Sequence, residues 1–274
     1  MNCTVFVIRT SVLLILAICS TVRAENDALR ALRGSFRLTD GRSTGTCFVV
    51  TRKSSDSDKL RTVLVTAAHV LQGFKQDSCQ LVLREKRNDG TYARKEVSVT
   101  IRKEGQPTWR KHPDLDIAVL PIDLPEGVDV APSAFEQLAD EATLKSRGIH
   151  VGQNCFIPCF PAQLEANKTG WPILRRGSIA THPLLPVSAA KTFLLDYTVF
   201  GGDSGAPVVT RPLTVKGKDA GSDGSVVVGI VIGQHRQTDK SVMPFEERIV
   251  HHSLGLAICV QAYFVRETIE LLGE

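Results

Sequence analysis

The chain has 274 residues, 43% hydrophobic and 23% charged, with a formal net charge of +4, so it is long enough to bury a sizeable core without covalent staples. Loss of Arg9 and Arg23 with an acid-free leader turns 33 basic residues into 31 against 29 acidic, or +2. That balance argues for neither a nucleic-acid nor a membrane partner, and the basic clusters Arg84-Glu85-Lys86-Arg87 and Arg102-Lys103 read as solvated surface.

The first residues carry Arg9, the apolar run Val12-Leu13-Leu14-Ile15-Leu16-Ala17-Ile18-Cys19, and Val22-Arg23-Ala24 at a peptidase-type cut. This pattern is a secretory signal peptide over residues 1–24. The run falls short of the roughly 20 apolar residues that span a bilayer, and bulky Ile18 argues against lipoprotein processing at Cys19. The expected mature protein starts near Glu25 and is secreted or periplasmic.

From Ser35 to about Leu120 short β segments alternate with polar turns. Ser35 to Thr39 ends in the turn dipeptide Asp40-Gly41, and Thr46 to Thr51 follows. Arg52 to Lys59 reads as a surface loop. Arg61 to Thr66 makes another strand running into Ala67-Ala68-His69. Cys79 to Arg84 and the alternating Val97, Val99 and Ile101 continue the sheet with period two, and Asp116-Ile117-Ala118-Val119-Leu120 is an apolar strand opened by an acid. Pro121 to Arg147 is a proline-punctuated linker with a helix-compatible stretch from Ser133 to Lys145. Strands resume at Gly152 to Phe160, Ile173 to Thr181, Thr192 to Leu195, Ala206 to Thr210, Val226 to Ile232 and Leu254 to Val260, with a surface loop over Pro212 to Ser225. Gln261 to Leu272 has the spacing of a closing amphipathic helix.

Five cysteines follow the leader: Cys47, Cys79, Cys155, Cys159 and Cys259. Cys-x-x-Cys spacing is absent, so no metal site is expected. His251 and His252, adjacent on a strand, point to opposite faces.

Chemistry concentrates in three places. Gly201-Gly202-Asp203-Ser204-Gly205-Ala206-Pro207 surrounds one hydroxyl with almost no side-chain bulk, so neighbouring N–H groups can converge beside it and hold an oxyanion. His69 stands after two small alanines at a strand end, and Asp116 opens a strand. A serine nucleophile needs a base, and the base needs a carboxylate to fix its tautomer. Asp114, two residues earlier, is read as a solvated turn residue.

Taken together, Thr66-Ala67-Ala68-His69, Asp116-Ile117-Ala118-Val119-Leu120 and Gly202-Asp203-Ser204-Gly205-Ala206-Pro207 resemble the three catalytic boxes of the trypsin-like (chymotrypsin-fold) serine peptidases, in that family's order. The resemblance covers roughly Ser35 to Ala262. It implies an all-β fold of two packed antiparallel six-stranded Greek-key β-barrels with a C-terminal helix, split as residues 25–130 and 131–274. It also implies a catalytic set of His69, Asp116 and Ser204, an oxyanion hole made by the N–H groups of Gly202 and Ser204, no cofactor, and a protein or peptide as substrate. The family's pocket floor falls on Thr198 beside Val199, and the wall on Ile232-Gly233-Gln234. With no carboxylate at the floor, cleavage after Lys or Arg is disfavoured, and small or medium uncharged residues are expected. In relatives a disulfide brackets the catalytic histidine, which suggests Cys47 with Cys79. Many animal members mature by pairing a new amino terminus with the acid before the serine. The start near Glu25 has no such apolar dipeptide, so Asp203 is expected to be held by other donors. Two other readings stand: a non-catalytic peptide-binding protein on a peptidase scaffold, and an esterase. The esterase is disfavoured by Ala206 where a nucleophile elbow needs glycine and by a histidine that precedes the serine.

Overall fold

The computed structural model describes residues 27–53, 60–210, 224–243 and 245–273. The expected leader, and most of the loops expected at Arg52–Lys59 and Pro212–Ser225, lie outside the described residues.

The chain folds as two antiparallel β units in sequence. The first is an eight-stranded sheet in the order β5 (Tyr92–Thr100), β4 (Ser78–Lys86), β1 (Ser35–Thr39), β2 (Thr44–Lys53), β3 (Leu60–Thr66), β9 (Ala118–Pro121), β8 (Arg110–Lys111), with β10 (Ser133–Ala134) added in parallel on β2. A small β6–β7 hairpin (Arg102–Lys103 with Gln106–Pro107) lies beside it. The second unit is a closed six-stranded barrel: β11 (Asn154–Cys159), β12 (Ile173–Ile179), β13 (Thr192–Asp196), β16 (Glu246–Gln261), β15 (Val226–Met243) and β14 (Pro207–Thr210). In both units the fourth strand returns beside the first, giving β4-β1-β2-β3 and β14-β11-β12-β13, the order of a Greek key.

The apolar runs of β2, β3 and β9 follow from burial on both faces. Cys47, Val49, Leu64, Ala118 and Leu120 point into the core of the first unit, with Phe36, Leu38, Leu81 and Leu83. Their alternates Phe48, Val50, Val63, Val65 and Val119 join the second core, which fills the barrel and runs under the C-terminal helix Ala262–Glu270. The two units are therefore cemented by one side of the first sheet. A buried cation reinforces the joint. Arg84, fully shielded, lies between the rings of Phe36 and Trp171 and donates to the carbonyls of Ser35 and Gly170. Burial lowers its pKa to about 10.

Four expectations change. Arg84, read with its basic neighbours as solvated surface, is fully buried. The stretch from Ser133 to Lys145 is not one helix: β10 is followed by a 3-10 turn at Phe135–Gln137 and a short helix Glu141–Ser146, whose start Asp140 caps by accepting from the Thr143 N–H at 2.7 Å. The strands expected at Val226–Ile232 and Leu254–Val260 continue outward as one long hairpin, paired from Gly229↔Gln261 to Met243↔Glu246. Finally, Cys47 and Cys79 form no disulfide, and all five described cysteines are free and buried. The reason is topological. β1 lies between their strands, and Cys47 is level with Phe36 while Gln80, next to Cys79, is level with Thr39. Two strand spacings, about 9.5 Å, already exceed the Cα reach of a disulfide.

Candidate active site

His69 is the second residue of a short helix, Ala68–Gly73, that begins as soon as β3 ends. Ala67 and Ala68 are fully buried, which anchors the helix and leaves the His69 side chain 46% exposed. Asp116 comes from the loop between β8 and β9. Its Oδ1 accepts the His69 backbone N–H at 2.9 Å, and its Oδ2 lies 2.5 Å from His69 Nδ1. A carboxylate accepts only, so Nδ1 carries the proton and Nε2 is left as a base. Partial burial pushes the Asp116 carboxyl up, but the hydrogen bonds and charge of His69 outweigh it and hold its pKa below the ordinary value. Asp114 instead faces Lys191 across 3.7 Å at the surface.

The Asp116 loop has its own brace. His112 is buried; its Nδ1 accepts the N–H groups of Asp114 and Leu115, and its ring meets Phe264 of the C-terminal helix edge to face.

Ser204 sits on the turn between β13 and β14 and is half-buried. Strand β2 moulds this turn. The Thr46 N–H donates to the Ser204 carbonyl at 2.9 Å, and Thr46 Oγ1 donates to the Gly202 carbonyl at 2.7 Å. Thr66 Oγ1, three residues before His69, donates to the Thr46 carbonyl at 2.7 Å. Two glycines are obligatory here. Gly202 has φ +101°, and a Cβ would stand 2.2 Å from the Phe160 carbonyl oxygen; Gly205 has φ +90°, and a Cβ would stand 2.0 Å from that of Thr46. No L side chain fits either position. The N–H groups of Asp203, Gly205 and Ala206 are used within the turn or by Val231. Among the described residues those of Gly202 and Ser204 have no acceptor, which leaves two donors free to bind an anion beside the hydroxyl.

Asp203 holds the turn from below. It is fully buried, and its Oδ2 accepts from the Phe200 N–H at 2.9 Å, Tyr197 Oη at 3.0 Å and Arg175 Nη1 at 3.0 Å. The guanidinium of Arg175 also stacks 4.2 Å from the Tyr197 ring centroid. Burial pushes the Asp203 carboxyl above its ordinary value despite these donors.

The same cation reaches the expected pocket floor, where Arg175 Nη2 donates to the Thr198 carbonyl at 2.8 Å. Val199 is buried beside it. Gly255 packs against Thr198 from the opposite strand, with φ +70° and its carbonyl accepting the Tyr197 N–H. Along the expected wall the register slips between Val231 and Gly233, so Ile232 has no cross-strand partner, and the Gln234 amide turns to Ser253 Oγ at 2.9 Å. Sequence reasoning missed Arg175, Tyr197 and Gly255. The glycine alone left a signal, as an isolated Gly inside a strand pattern.

Residues 45–217 match a family model described as a trypsin-like peptidase domain. No curated protein matches the chain. Two crystal structures of inactive forms align over most of its length. One is Rv3671c from M. tuberculosis H37Rv, 15% identical over 90% of this chain and 91% of that one, with a TM-score of 0.48. The other is the Rv3671c protease, 15% identical over 91% and 94%, with a TM-score of 0.48.

Proposed function

The chain belongs to the trypsin-like peptidase family, and on that premise we propose that it is a secreted or periplasmic serine endopeptidase working through an acyl-enzyme. Ser204 attacks the peptide carbonyl while His69 Nε2 takes its proton. Asp116 holds the imidazole in the Nδ1–H tautomer and stabilises the imidazolium. The N–H groups of Gly202 and Ser204 receive the oxyanion, and His69 then protonates the leaving amine before water reverses the sequence. The two-barrel division is assigned to residues 25–130 and 131–274, with residues 1–24 removed as a leader.

The observation that carries this reading is the His69–Asp116 pair, bonded twice, beside a serine turn with two unused N–H donors. Asp203 supports activity straight after leader removal, since Arg175 and Tyr197 of the same chain already donate to its Oδ2. At the pocket, the charge of Arg175 is balanced by Asp203, which favours small or medium uncharged side chains such as Ala, Val or Leu and opposes Lys and Arg.

The test is labelling of the mature protein with a fluorophosphonate, with Ser204→Ala as control, followed by a peptide-library profile. Labelling that disappears in the variant is expected. Absence of labelling in the wild type would favour the peptide-binding scaffold, and a dominant preference for Lys or Arg would overturn the pocket assignment.

A further inference from the structure

Strand β15 has two edges with different fates. One edge pairs with β16 from Gly229 to Met243, with register slips at Ile232 and His235. The other pairs with β14 only as far as Val231, whose N–H donates to Ala206 O at 2.9 Å and whose carbonyl accepts the Gly205 N–H at 2.8 Å. From Ile232 to Met243 that second edge has no neighbour among the described residues. The free edge thus begins just past the contact of Val231 with Gly205, the residue after Ser204, and continues for about 40 Å at 3.4 Å per residue.

Such a length is unusual for an unprotected edge, because exposed rows of N–H and C=O groups recruit other chains and are normally kept short, charged or interrupted by proline. Here Ile232 to Met243 contains no proline, its register slips end at Arg236, and Arg236, Asp239 and Lys240 nearly cancel in charge. At its base Gly233 has nothing within 4 Å of where a Cβ would stand. That open space lies on a face of the strand, so no side chain there overhangs a chain pairing along the edge. Towards the tip, Val242 is 71% exposed and Phe245 fully exposed.

The geometry points to this edge as a long platform for the polypeptide on the amino side of the scissile bond. This inference rests on the peptidase reading. A chain that takes over from β14 along β15 must run antiparallel to it, from the hairpin tip towards Ser204. Its carboxyl-ward residues then reach the nucleophile, and about ten residues upstream pair with Ile232 to Met243 by strand addition. The substrate class is extended, unfolded polypeptide of mixed sequence, because pairing reads the backbone and not the side chains. Short peptides use only the base of the edge.

The test uses the full mature chain carrying Ser204→Ala, with the arm intact or with residues 237–252 replaced by Asn-Gly, a turn that closes on the Arg236–Ser253 pair. Binding of a fluorescein-labelled 14-residue extended peptide and of its last three residues is measured by anisotropy. Shortening is expected to weaken the 14-residue peptide at least tenfold and to leave the three-residue peptide unchanged. With Ser204 restored, kcat/KM should show the same split while fluorophosphonate labelling is retained. Should the shortened chain misfold, N-methylation of alternate peptide residues tests the intact protein instead. Each methyl on an edge-facing N–H should weaken binding about fivefold, the equivalent of one hydrogen bond. Equal affinity with and without the arm or the methyl groups would overturn the proposal. So would a dimer, seen by sedimentation, that the arm controls while peptide affinity is unaffected. Arm-dependent binding in a wild type that neither labels nor cleaves would sink the peptidase reading and leave the platform standing.

Discussion

One aspartate is bonded to His69 and another lies within the serine turn, and their surroundings differ. Asp116 is 30% exposed, is hydrogen-bonded to His69, and is held below its ordinary pKa chiefly by it. Asp203 is fully buried, faces an arginine and a tyrosine, and is pushed upward by burial. On the proposed mechanism, the acid that must stay ionised beside a base that gains and loses a proton is kept near water. An acid that only fixes a turn is sealed in the core, where its partners act as structural members. The contrast teaches that the chemistry and the shape of the site are separable.

The strongest way to break that separation is Asp116→Asn. The amide can keep an acceptor on the His69 N–H but presents the wrong partner to Nδ1, so kcat should fall about 10⁴-fold, while unfolding free energy should change by about 1 kcal/mol or less. Steady-state kinetics beside urea melts decide this, and a large stability loss with modest kinetic loss would reverse the roles. Next in size is Arg175→Met, which strips a buried carboxylate of its cation. A stability loss of about 3 kcal/mol is expected, with activity lost through a disordered oxyanion turn. Conversion of Asp203 to Asn in the same chain should recover part of the stability, and a variant as stable as the wild type would show that the cation is not what holds the turn.

The smallest effect sharpens the comparison through pH. Asp116, lowered on folding, contributes stability that is present above its unfolded pKa and lost as pH falls through the folded value. Asp203, raised on folding, acts in the other direction: stability is fullest below its unfolded pKa and declines as pH rises through the folded value. Unfolding free energies between pH 3 and 7 for the wild type, Asp116→Asn and Asp203→Asn should therefore show the two wild-type-minus-variant differences sloping in opposite senses. Parallel slopes would mean that the two sites are not distinct.

Much of the chemical half of this comparison was legible in the sequence, because His69 and Asp116 each belong to a short contiguous pattern at a strand end. Most strands were legible too, since burial on one or both faces writes period two or a solid apolar run. Three things were not. Residues 235–243 and 245–253 belong to a hairpin exposed on both faces except at half-buried Val250, so no burial pattern marks them as strand. The partners of Asp203 come from Arg175 and Tyr197, 28 and 6 residues away, and a single long-range ion pair leaves no local periodicity. The stretch from Ser133 to Lys145 has helical composition, yet pairing of Ser133 and Ala134 with Val50 and Thr51 overrides it.

Thr46 has a consequence for timing. Its N–H and hydroxyl shape the turn of Ser204 and Gly202, which are 158 and 156 residues later in the chain, and its carbonyl is tied to Thr66 beside His69. On the proposed serine-peptidase reading, neither unit alone shapes the turn of the nucleophile, so half-made chains should be unable to cleave themselves. Fragments divided between the two β units should each ignore a fluorophosphonate and acquire labelling only when mixed.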